Sequence, residues 1–391
     1  MESSPTKSLV RFSEDVIRLA TEVFGNEAEE TLRFMTEPVR SYYVRCNTQK
    51  ISPYELMRLL RKKGLEIKQI EAIPEAIGID VKGPFKITPT KLTVVVDKKT
   101  AESVLQGANV YAPGIVKCEP MHSGDLVTVM SEVGDIVAVG HAEMSVTDVL
   151  TFKKGLAISV TMRRFQSPQI RELDEFSRAF LYPQSLAAMV TTRVLDPKLG
   201  EIIVDMNCAP GGKLAHMSQL MQNNGKIYGF DRNSRKISQT RETASRLGCK
   251  NVILSIHDSR YLPQDFPELT ANRVLIDPPC SALGLRPKAY DFTAKEKVEN
   301  LAAYQKQFVK AASQLVKPGG TVVYSVCTFT IEECEKVAEF AVRECNLHLV
   351  EQNPKIGDPG IEVFPKANLC QRFHPRKHEI GYFIAKFKRN S

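Results

Sequence analysis

Two cysteines lie at the ends of two predicted strands in the C-terminal half of the chain. Cys280 follows a strand at 273–277 that ends in Asp277, and Cys327 follows a strand at 321–325. If these strands are neighbours in one sheet, their ends lie about 5 Å apart. A single cysteine at a strand end is usually structural. Two thiols at adjacent strand ends, beside a carboxylate, indicate covalent catalysis.

A glycine-containing loop lies between a predicted strand at 202–205 and a helix that starts near Lys213. Its residues are Asn207, Cys208, Ala209, Pro210, Gly211, Gly212 and Lys213. Glycines permit close backbone approach, and the free N–H groups of a helix N-terminus favour a ligand that carries a carboxylate or phosphate. The loop has neither dinucleotide-binding nor Walker spacing, so neither a dinucleotide nor ATP is favoured. A glycine turn that serves only tight packing is the alternative.

Aspartates end three successive predicted strands, at Asp205, Asp231 and Asp258. An acidic residue about 20 positions after a glycine loop can hold ribose hydroxyls. Asp231 and Asp258 are therefore candidates to flank a nucleoside. A single aspartate at a strand end is more often a helix cap, but three in order make coincidence a weaker explanation.

The elements that position these residues alternate between strand and helix over 165–391. Predicted strands lie at 202–205, 226–231, 252–255, 273–277, 321–325 and 381–387. This alternation predicts an α/β fold with a doubly wound, largely parallel sheet and helices on both faces. Ligands bind such sheets outside the carboxyl ends of the strands.

The N-terminal part of the chain has a different pattern of predicted secondary structure. Five short β-branched segments with glycine-rich turns, within about 75 residues, predict a small β-barrel. A mixed-charge region with two helices and a strand precedes them. We therefore expect an α+β region over 1–88, a barrel over 89–164 and the α/β core over 165–391.

Composition is that of an ordinary globular protein. The 391 residues include 53 Lys+Arg and 45 Asp+Glu, a net charge of +8, with 43% hydrophobic and 25% charged residues. No apolar run approaches the ~18 residues of a membrane span, and the first residues do not read as a signal sequence. The nine cysteines are odd in number and include no Cys-x-x-Cys pair, so neither a disulfide framework nor a metal site is expected. A cytoplasmic monomer is expected.

These motifs together resemble the Sun-domain RNA cytosine-5 methyltransferases, which use S-adenosylmethionine and have a Rossmann-like core. Residues 107–114 and 124–127 resemble a PUA domain, an RNA-binding β-barrel. A PUA barrel inserted before the core is similar to archaeal-type family members that methylate a tRNA cytosine at position 72, in the acceptor stem near the CCA end. The motifs of the core are 209–213, 277–281, 286–287, 317–320 and 381–385, together with Gln184 and Gln305, and 45–48 resembles an N-terminal family element.

The resemblance implies a covalent mechanism. Cys327 is the implied nucleophile on C6 of the cytosine, and Asp277 is implied to hold the N3/N4 edge of the base. Lys213 could favour the Cys327 thiolate, since a nearby cation lowers a thiol pKa. Cys280 is implied to help remove the C5 proton. The base must leave its stack to reach such a pocket.

The same resemblance assigns the binding residues. The loop 207–213 and Asp277 are implied to contact the cofactor, with Asp231 on its ribose and Asp258 on its adenine. Asn109 and Tyr111 of the PUA signature could meet the unpaired acceptor end of tRNA, where bases commonly stack on aromatic rings. Packing of Tyr111 inside the barrel is the alternative.

Five positions depart from the family pattern. In the loop, whose usual sequence is Cys-Ala-Ala-Pro-Gly-Gly-Lys-Thr, the first, second and last residues are Asn207, Cys208 and Leu214. Val326 replaces the usual threonine before the nucleophile, and Ala282 replaces a common glycine. The implied catalytic residues are nevertheless all present. Two other functions remain open: the same chemistry on ribosomal or another RNA, and a non-catalytic RNA-binding protein that keeps the fold. An amino-methyltransferase is less favoured, because position 280 is cysteine where those enzymes carry an aromatic residue.

Overall fold

The computed structural model describes residues 11–391. Residues 1–10, to which the prediction about a signal sequence applies, lie outside the described residues. The chain divides into two compact units. The smaller comprises 1–42, 80–169 and 285–292, and the larger comprises 43–79, 170–284 and 293–391.

The elements are numbered in chain order. The helices are α1 (Glu14–Phe24), α2 (Ala28–Met35), α3 (Pro53–Lys62), α4 (Lys98–Leu105), α5 (Val146–Phe152), α6 (Asp174–Ser177), α7 (Leu186–Leu195), α8 (Gly212–Leu220), α9 (Ser234–Leu247), α10 (Leu262–Asp265), α11 (Lys295–Leu315), α12 (Glu335–Glu344) and α13 (Pro375–His378). The strands are β1 (Ser41–Cys46), β2 (Ile67–Ile70), β3 (Ile73–Asp80), β4 (Leu92–Val96), β5 (Val110–Tyr111), β6 (Ile115–Cys118), β7 (Leu126–Ser131), β8 (Ile136–Ala142), β9 (Leu156–Arg163), β10 (Leu181–Pro183), β11 (Ile202–Asp205), β12 (Lys226–Asp231), β13 (Val252–Ile256), β14 (Ala271–Ile276), β15 (Val316–Val326), β16 (Leu347–Leu349), β17 (Asp358–Pro359), β18 (Gln371–Phe373) and β19 (Tyr382–Arg389).

The main sheet of the larger unit confirms the doubly wound prediction. Its order is β13-β12-β11-β14-β15-β19-β18-β17, with β16 beside β19. The first five strands in this order run parallel to one another, and β19 is antiparallel to β15. The central parallel strands are near-continuous apolar runs, as expected where helices cover both faces. The order reverses between β11 and β14, which is where such sheets bind ligands.

A second sheet of the larger unit, in the order β10-β1-β3-β2, contributes to the site through Arg45 on β1. This side chain is buried, although arginine seldom is. Its Nη1 donates to the side-chain oxygen of Gln184 and, at 2.6 Å, to the main-chain oxygen of Gly212, the first residue of α8. The N-terminal element therefore holds the start of the helix that follows the glycine loop.

The smaller unit contains one six-stranded sheet, in the order β5-β9-β8-β7-β4-β6. Its strands and two helices enclose a core of small and β-branched residues. The sequence predicted five strands here, because the segment 110–116 read as one. Pro113 lies in a 3-10 turn, Ala112–Gly114, that divides this segment into β5 and β6. Proline cannot donate to a strand ladder, which accounts for the division.

Among residues 11–391, no helix is both long enough and apolar enough to cross a membrane. The same residues contain no group of three or more histidine, cysteine, aspartate or glutamate side chains placed to hold a metal ion.

Candidate active site

A cavity of about 380 Å³ lies at the carboxyl ends of the parallel strands of the larger unit. Aspartates that end β11 and β12, or follow β13 and β14, surround this region. This is the edge of the sheet at which the sequence analysis predicted ligand binding. The predicted residues that line the cavity are Asn207, Ala209, Asp231, Asp258, Asp277, Cys280 and Cys327.

The two cysteines at this cavity are in contact. β14 and β15 are neighbouring parallel strands, and the Sγ atoms of Cys280 and Cys327 are 3.2 Å apart. The hydrogen bond between them is the largest cause of a lowered Cys327 pKa. Burial and the Asp277 carboxylate oppose it, and the Lys213 ammonium adds a smaller lowering effect. The same hydrogen bond, together with burial, raises the pKa of Cys280 well above its ordinary value. Cys327 is therefore the thiol of the pair that ionises more readily, and Cys280 is the one that keeps its proton and can donate to the resulting thiolate.

Lys213 and Asp277 form an ion pair beside the sulfurs, with 2.6 Å between Nζ and Oδ2. Burial alone would lower the pKa of Lys213, but the adjoining Asp277 carboxylate outweighs it and the pKa is raised. Asp277 Oδ1 also accepts from the hydroxyls of Ser325, at 3.0 Å, and Tyr382, at 3.3 Å. Ser325 and Tyr382 were missed as site residues. Tyr382 lies in a family motif at the start of β19, which the sheet brings next to β15.

The structure of the glycine loop is compatible with both interpretations of its sequence, ligand binding and tight packing. Gly211 has a left-handed φ of +102°, and a Cβ on Gly212 would approach the Tyr182 ring to 2.9 Å. One side of the loop is therefore packed against the protein, as the packing alternative expects. Other loop residues face cavities: Asn207 and Ala209 line the larger one, and Pro210, Gly212 and Lys213 line an adjoining cavity of about 170 Å³.

Cys208 lies on the packed side of the same loop. Its side chain is buried in the core, and burial raises the thiol pKa far above its ordinary value. Its main-chain N–H donates to the oxygen of Phe230 at 3.0 Å. We therefore expect the Cys208 thiol to be unreactive.

Asp231 and Asp258 lie on one side of the larger cavity. Asp231 Oδ1 accepts from the N–H of Asn233 at 2.9 Å, and its Oδ2 is 3.8 Å from the Lys236 ammonium. Asp258 forms a bidentate pair with Arg260, whose hydrogen bonds lower the pKa of this carboxyl. Asp258 also caps the 3-10 turn Ser259–Tyr261, so the helix-cap alternative describes part of its role.

Asp205 at the end of β11 is buried at the wall of the smaller cavity. Its Oδ1 accepts from the N–H of Asn207 at 3.3 Å, while none of the described residues donates to its Oδ2. Burial first, and then the Asp277 carboxylate, raise the pKa of Asp205 to about 7. The sequence analysis included Asp205 among the aspartates that end strands, but it did not predict that its carboxyl group is buried with a raised pKa.

We expect Asp205→Asn to change how stability depends on pH. Between about pH 4 and pH 7 the unfolded chain ionises Asp205 while the native protein keeps its proton, so wild-type stability falls as the pH rises through this window. The asparagine variant lacks this loss. The free energy of unfolding of the variant minus that of wild type should therefore be on the order of 2 kcal/mol larger at pH 8 than at pH 5, which means that the variant gains relative stability at the higher pH. Denaturant unfolding measures both values, and an equal difference at the two pH values would contradict the prediction.

In the smaller unit, Tyr111 is 57% exposed, so its ring does not pack inside the sheet. The side-chain oxygen of Asn109 accepts from the N–H of Val160 and from Nη2 of Arg163, both at 3.1 Å. Asn109 thus has a role within the sheet, and the contact with RNA stays a prediction for both residues.

Comparison with known proteins agrees with this architecture. The model of the 16S rRNA methyltransferase RsmB/F family matches residues 192–388, and the PUA domain model matches 93–162. The tRNA (cytosine(72)-C(5))-methyltransferase of Pyrococcus horikoshii is 38% identical, over 97% of this chain and 98% of that protein. The mouse protein tRNA (cytosine(72)-C(5))-methyltransferase NSUN6 is 31% identical, over 85% of this chain and 82% of that protein.

A solved structure extends the likeness to the whole fold. The crystal structure of NSun6 from Pyrococcus horikoshii with SFG, an analogue of S-adenosylmethionine, matches with a TM-score of 0.90 and 38% identity, over 97% of this chain and 99% of that one. Both comparisons extend through the PUA region and the core alike. The chain therefore belongs to the RsmB/F, or Sun-domain, family of RNA cytosine-5 methyltransferases, enzymes that use S-adenosylmethionine.

Proposed function

We propose that this chain methylates C5 of a cytosine in tRNA, at position 72 of the acceptor stem near the CCA end. The observation that carries the proposal is similarity along the whole chain, PUA region included, to proteins named for that reaction. The contact between Cys280 and Cys327 at the cavity supports the chemistry. We further propose that the protein acts as a monomer in the cytoplasm.

Cys327 is the nucleophile in this proposal. Cytosine C5 is a poor nucleophile until a thiolate adds to C6, which breaks the ring conjugation and makes C5 electron-rich. The hydrogen bond from Cys280 and the nearby Lys213 cation both favour the required thiolate. S-adenosylmethionine, when bound, supplies an electrophilic methyl group to C5.

Asp277 holds the N3/N4 edge of the cytosine. Its carboxylate is fixed by Lys213, Ser325 and Tyr382, so its position is set before the base arrives. Preorganised groups of this kind stabilise charge that develops in a transition state without further rearrangement. Lys213 offsets the negative charge of Asp277 in the same site.

Cys280 completes the reaction by accepting the C5 proton. Loss of this proton restores the C5–C6 double bond and expels the Cys327 sulfur. While Cys327 is a thiolate, the hydrogen bond between the sulfurs is the largest cause of the raised Cys280 pKa. Once Cys327 is bonded to C6, that thiolate is gone. Cys280 can then release its own proton to solvent and act as the base.

The residues around the larger cavity fit the cofactor. Asp231 and Asp258 offer carboxylate acceptors for ribose hydroxyls and the adenine amine, as the resemblance implies. Asn207 and Ala209 of the loop 207–213 line the same cavity. Both carboxylates keep acceptor positions beyond the bonds they already make. These residues would hold the methyl donor next to the two sulfurs.

We predict that Asp231→Ala weakens S-adenosylmethionine binding at least about tenfold, because hydrogen bonds to a charged acceptor are lost. Isothermal calorimetry measures the affinity, with Asp174→Ala, which removes an 86% exposed aspartate side chain, as the matched control. Wild-type affinity in the Asp231 variant would remove this residue from the cofactor site.

Tyr111 is the residue that we expect to stack on an unpaired base of the acceptor end. Tyr111→Ala should lower tRNA affinity roughly tenfold, because stacking on an aromatic ring contributes about 1–3 kcal/mol per base. Cofactor affinity should not change. Fluorescence anisotropy at one fixed salt concentration measures tRNA binding. The control is Tyr54→Ala, which removes a 72% exposed ring of the larger unit; equal losses in the two variants would contradict a specific role for Tyr111.

Ribosomal RNA is the second candidate substrate, because the family model is named for 16S rRNA. The human 28S rRNA (cytosine(4447)-C(5))-methyltransferase matches only 53% of this chain and 27% of its own length. The rRNA (cytosine-C(5))-methyltransferase NOP2C of Arabidopsis thaliana matches 99% of this chain and 93% of its own length, but at 25% identity. The higher identity of the tRNA enzymes over most of the chain, 38% and 31%, favours the tRNA proposal.

Bisulfite sequencing tests the substrate directly. Total tRNA and ribosomal RNA that lack 5-methylcytosine are incubated with the protein and S-adenosylmethionine, then mapped. We expect protection at position 72 of a tRNA subset. Protection confined to ribosomal RNA would overturn the choice of substrate, and no protection in either pool would favour a non-catalytic RNA-binding protein.

A further inference from the structure

Glu333 is a fully buried carboxylate close to both cysteine loops, with 0% of its surface exposed. No cation lies within ion-pair distance of it among residues 11–391. Four neutral donors fill its acceptor positions instead. Oε1 accepts from Ser281 N and Gln305 Nε2, both at 2.9 Å, and Oε2 accepts from Ser281 Oγ at 2.5 Å and Thr330 Oγ1 at 3.2 Å.

These donors hold the chain on both sides of Cys280. Ser281 follows Cys280 directly, and Gln305 Nε2 also donates to the main-chain oxygen of Pro279 at 3.0 Å. The hydroxyls of Ser281 and Thr328, each next to one of the cysteines, are 2.8 Å apart. Glu333 therefore fixes the Cys280 loop through these hydrogen bonds, and its negative charge also raises the pKa of both cysteines to a lesser extent.

The same network is anchored to the strand that leads to Cys327. The Tyr324 hydroxyl on β15 lies 2.9 Å from Gln305 Oε1 and 2.6 Å from the main-chain oxygen of Glu333. Gln305 and Tyr324 are both fully buried. Glu333 thus links the loop of one cysteine to the strand of the other.

The Cys280 loop needs such an anchor more than Cys327 does. Cys327 directly follows β15, which pairs with β14 on one side and β19 on the other. Cys280 lies in a segment without regular structure, and Ala282 in that segment has a φ of +57°. A side chain other than glycine in this left-handed region persists only where its surroundings hold it there.

We propose that Glu333 is a positioning residue that holds Cys280 against Cys327 for the release step. The proposal rests on the roles proposed above for the two sulfurs. Loss of the hydrogen bonds that Glu333 makes leaves Cys327 on its strand and frees the Cys280 loop. Attack on C6 then continues, while removal of the C5 proton becomes slow and the covalent enzyme–RNA adduct accumulates. A displacement of about 1 Å is enough to slow such a step by about a hundredfold.

Two substitutions distinguish the hydrogen bonds of Glu333 from its negative charge. Glu333→Ala removes all four acceptor contacts. In Glu333→Gln, the amide oxygen can still accept from Ser281 N and Gln305 Nε2, while its NH₂ donates to the hydroxyl oxygens of Ser281 and Thr330, which can act as acceptors. The glutamine variant should therefore rescue function.

The test uses the full chain with S-adenosylmethionine and the tRNA substrate, and measures turnover together with the fraction of enzyme in a denaturation-resistant adduct. For Glu333→Ala we expect turnover to fall at least about tenfold while the adduct fraction rises above wild type. Glu333→Gln should stay close to wild type in both measurements. Turnover and adduct that fall together in Glu333→Ala would overturn the proposal, as would a Glu333→Gln variant as impaired as the alanine variant.

Glu335→Gln is the control for general destabilisation. Glu335 is equally buried, two residues away, and pairs with Arg372 rather than with the Cys280 loop. Glu335→Gln should lower the melting temperature without raising the adduct fraction. A higher adduct fraction in this variant would overturn the specific role of Glu333.

Ser281→Ala is the second variant if Glu333→Ala does not fold, because, of the hydrogen bonds that Glu333 accepts, it removes only the one from the Ser281 hydroxyl. It should raise the adduct fraction, and an unchanged fraction would count against the proposal. Cys280→Ala runs in parallel, because absence of an adduct in that variant contradicts the release role of Cys280 rather than the role of Glu333.

Discussion

Cys327→Ala is expected to abolish methyl transfer while tRNA and cofactor binding persist. The alanine variant has no atom that can bond to cytosine C6, so C5 is never activated, and the rate should fall by more than about a thousandfold. Transfer of a labelled methyl group from S-adenosylmethionine to tRNA measures the loss. The fold should survive, since Cys327 lies at a cavity wall and the substitution removes a single sulfur atom.

The matched control for this variant is Cys118→Ala. Cys118 is a partly exposed thiol at the end of β6 in the smaller unit, and it should be dispensable for the reaction. Methyl transfer that persists in Cys327→Ala would refute the nucleophile assignment. Loss of activity in both cysteine variants would point to a general effect of thiol removal.

Cys280→Ala is expected to trap the enzyme on its RNA. Cys327 can still attack and C5 can still be methylated, but no thiol remains to take the C5 proton, so the adduct survives denaturation and migrates as a shifted band. A band that is absent under turnover conditions, with Cys327 present, would show that the release role is wrong.

The pH dependence of this trapping follows from the contact between the sulfurs. The hydrogen bond from Cys280 is the largest cause that lowers the pKa of Cys327, so Cys280→Ala raises that pKa again. Adduct formation in the alanine variant should therefore need a higher pH than in Cys280→Ser, whose hydroxyl can still donate. Identical pH profiles for the two variants would show that the hydrogen bond does not tune Cys327.

The sequence predicted the main sheet because each parallel strand is a short apolar run that ends in a polar residue. The runs at 202–205, 226–231 and 252–255 correspond closely to β11, β12 and β13. The proximity of the cysteines followed from strand order alone, since neighbouring parallel strands end at one edge. Their direct contact did not follow, because side-chain directions in loops depend on tertiary packing.

The segment after Cys327 shows where sequence reasoning failed. The sequence also predicts a helix that starts at Ile331, but α12 starts only at Glu335. Glu332, Glu333 and Glu335 are all buried, whereas a run of glutamates normally indicates a solvated helix face. Glu332 has a local partner, Lys336, whereas Glu333 and Glu335 accept from residues far away in the chain, such as Ser281 and Arg372. No local pattern signals them.

The pairing of β1 with β10 has a consequence for biosynthesis. β1 ends at Cys46, whereas its partner begins at Leu181, and between them the chain leaves the larger unit at Asp80 and re-enters it at Ile170. Contacts so distant in sequence form late and slow folding. The bond from Arg45 to Gly212 spans an even longer interval. More than half of the polypeptide must therefore be synthesised before the loop that we propose to bind S-adenosylmethionine gains its contact with Arg45. Nascent chains that stall before this contact forms should not bind S-adenosylmethionine.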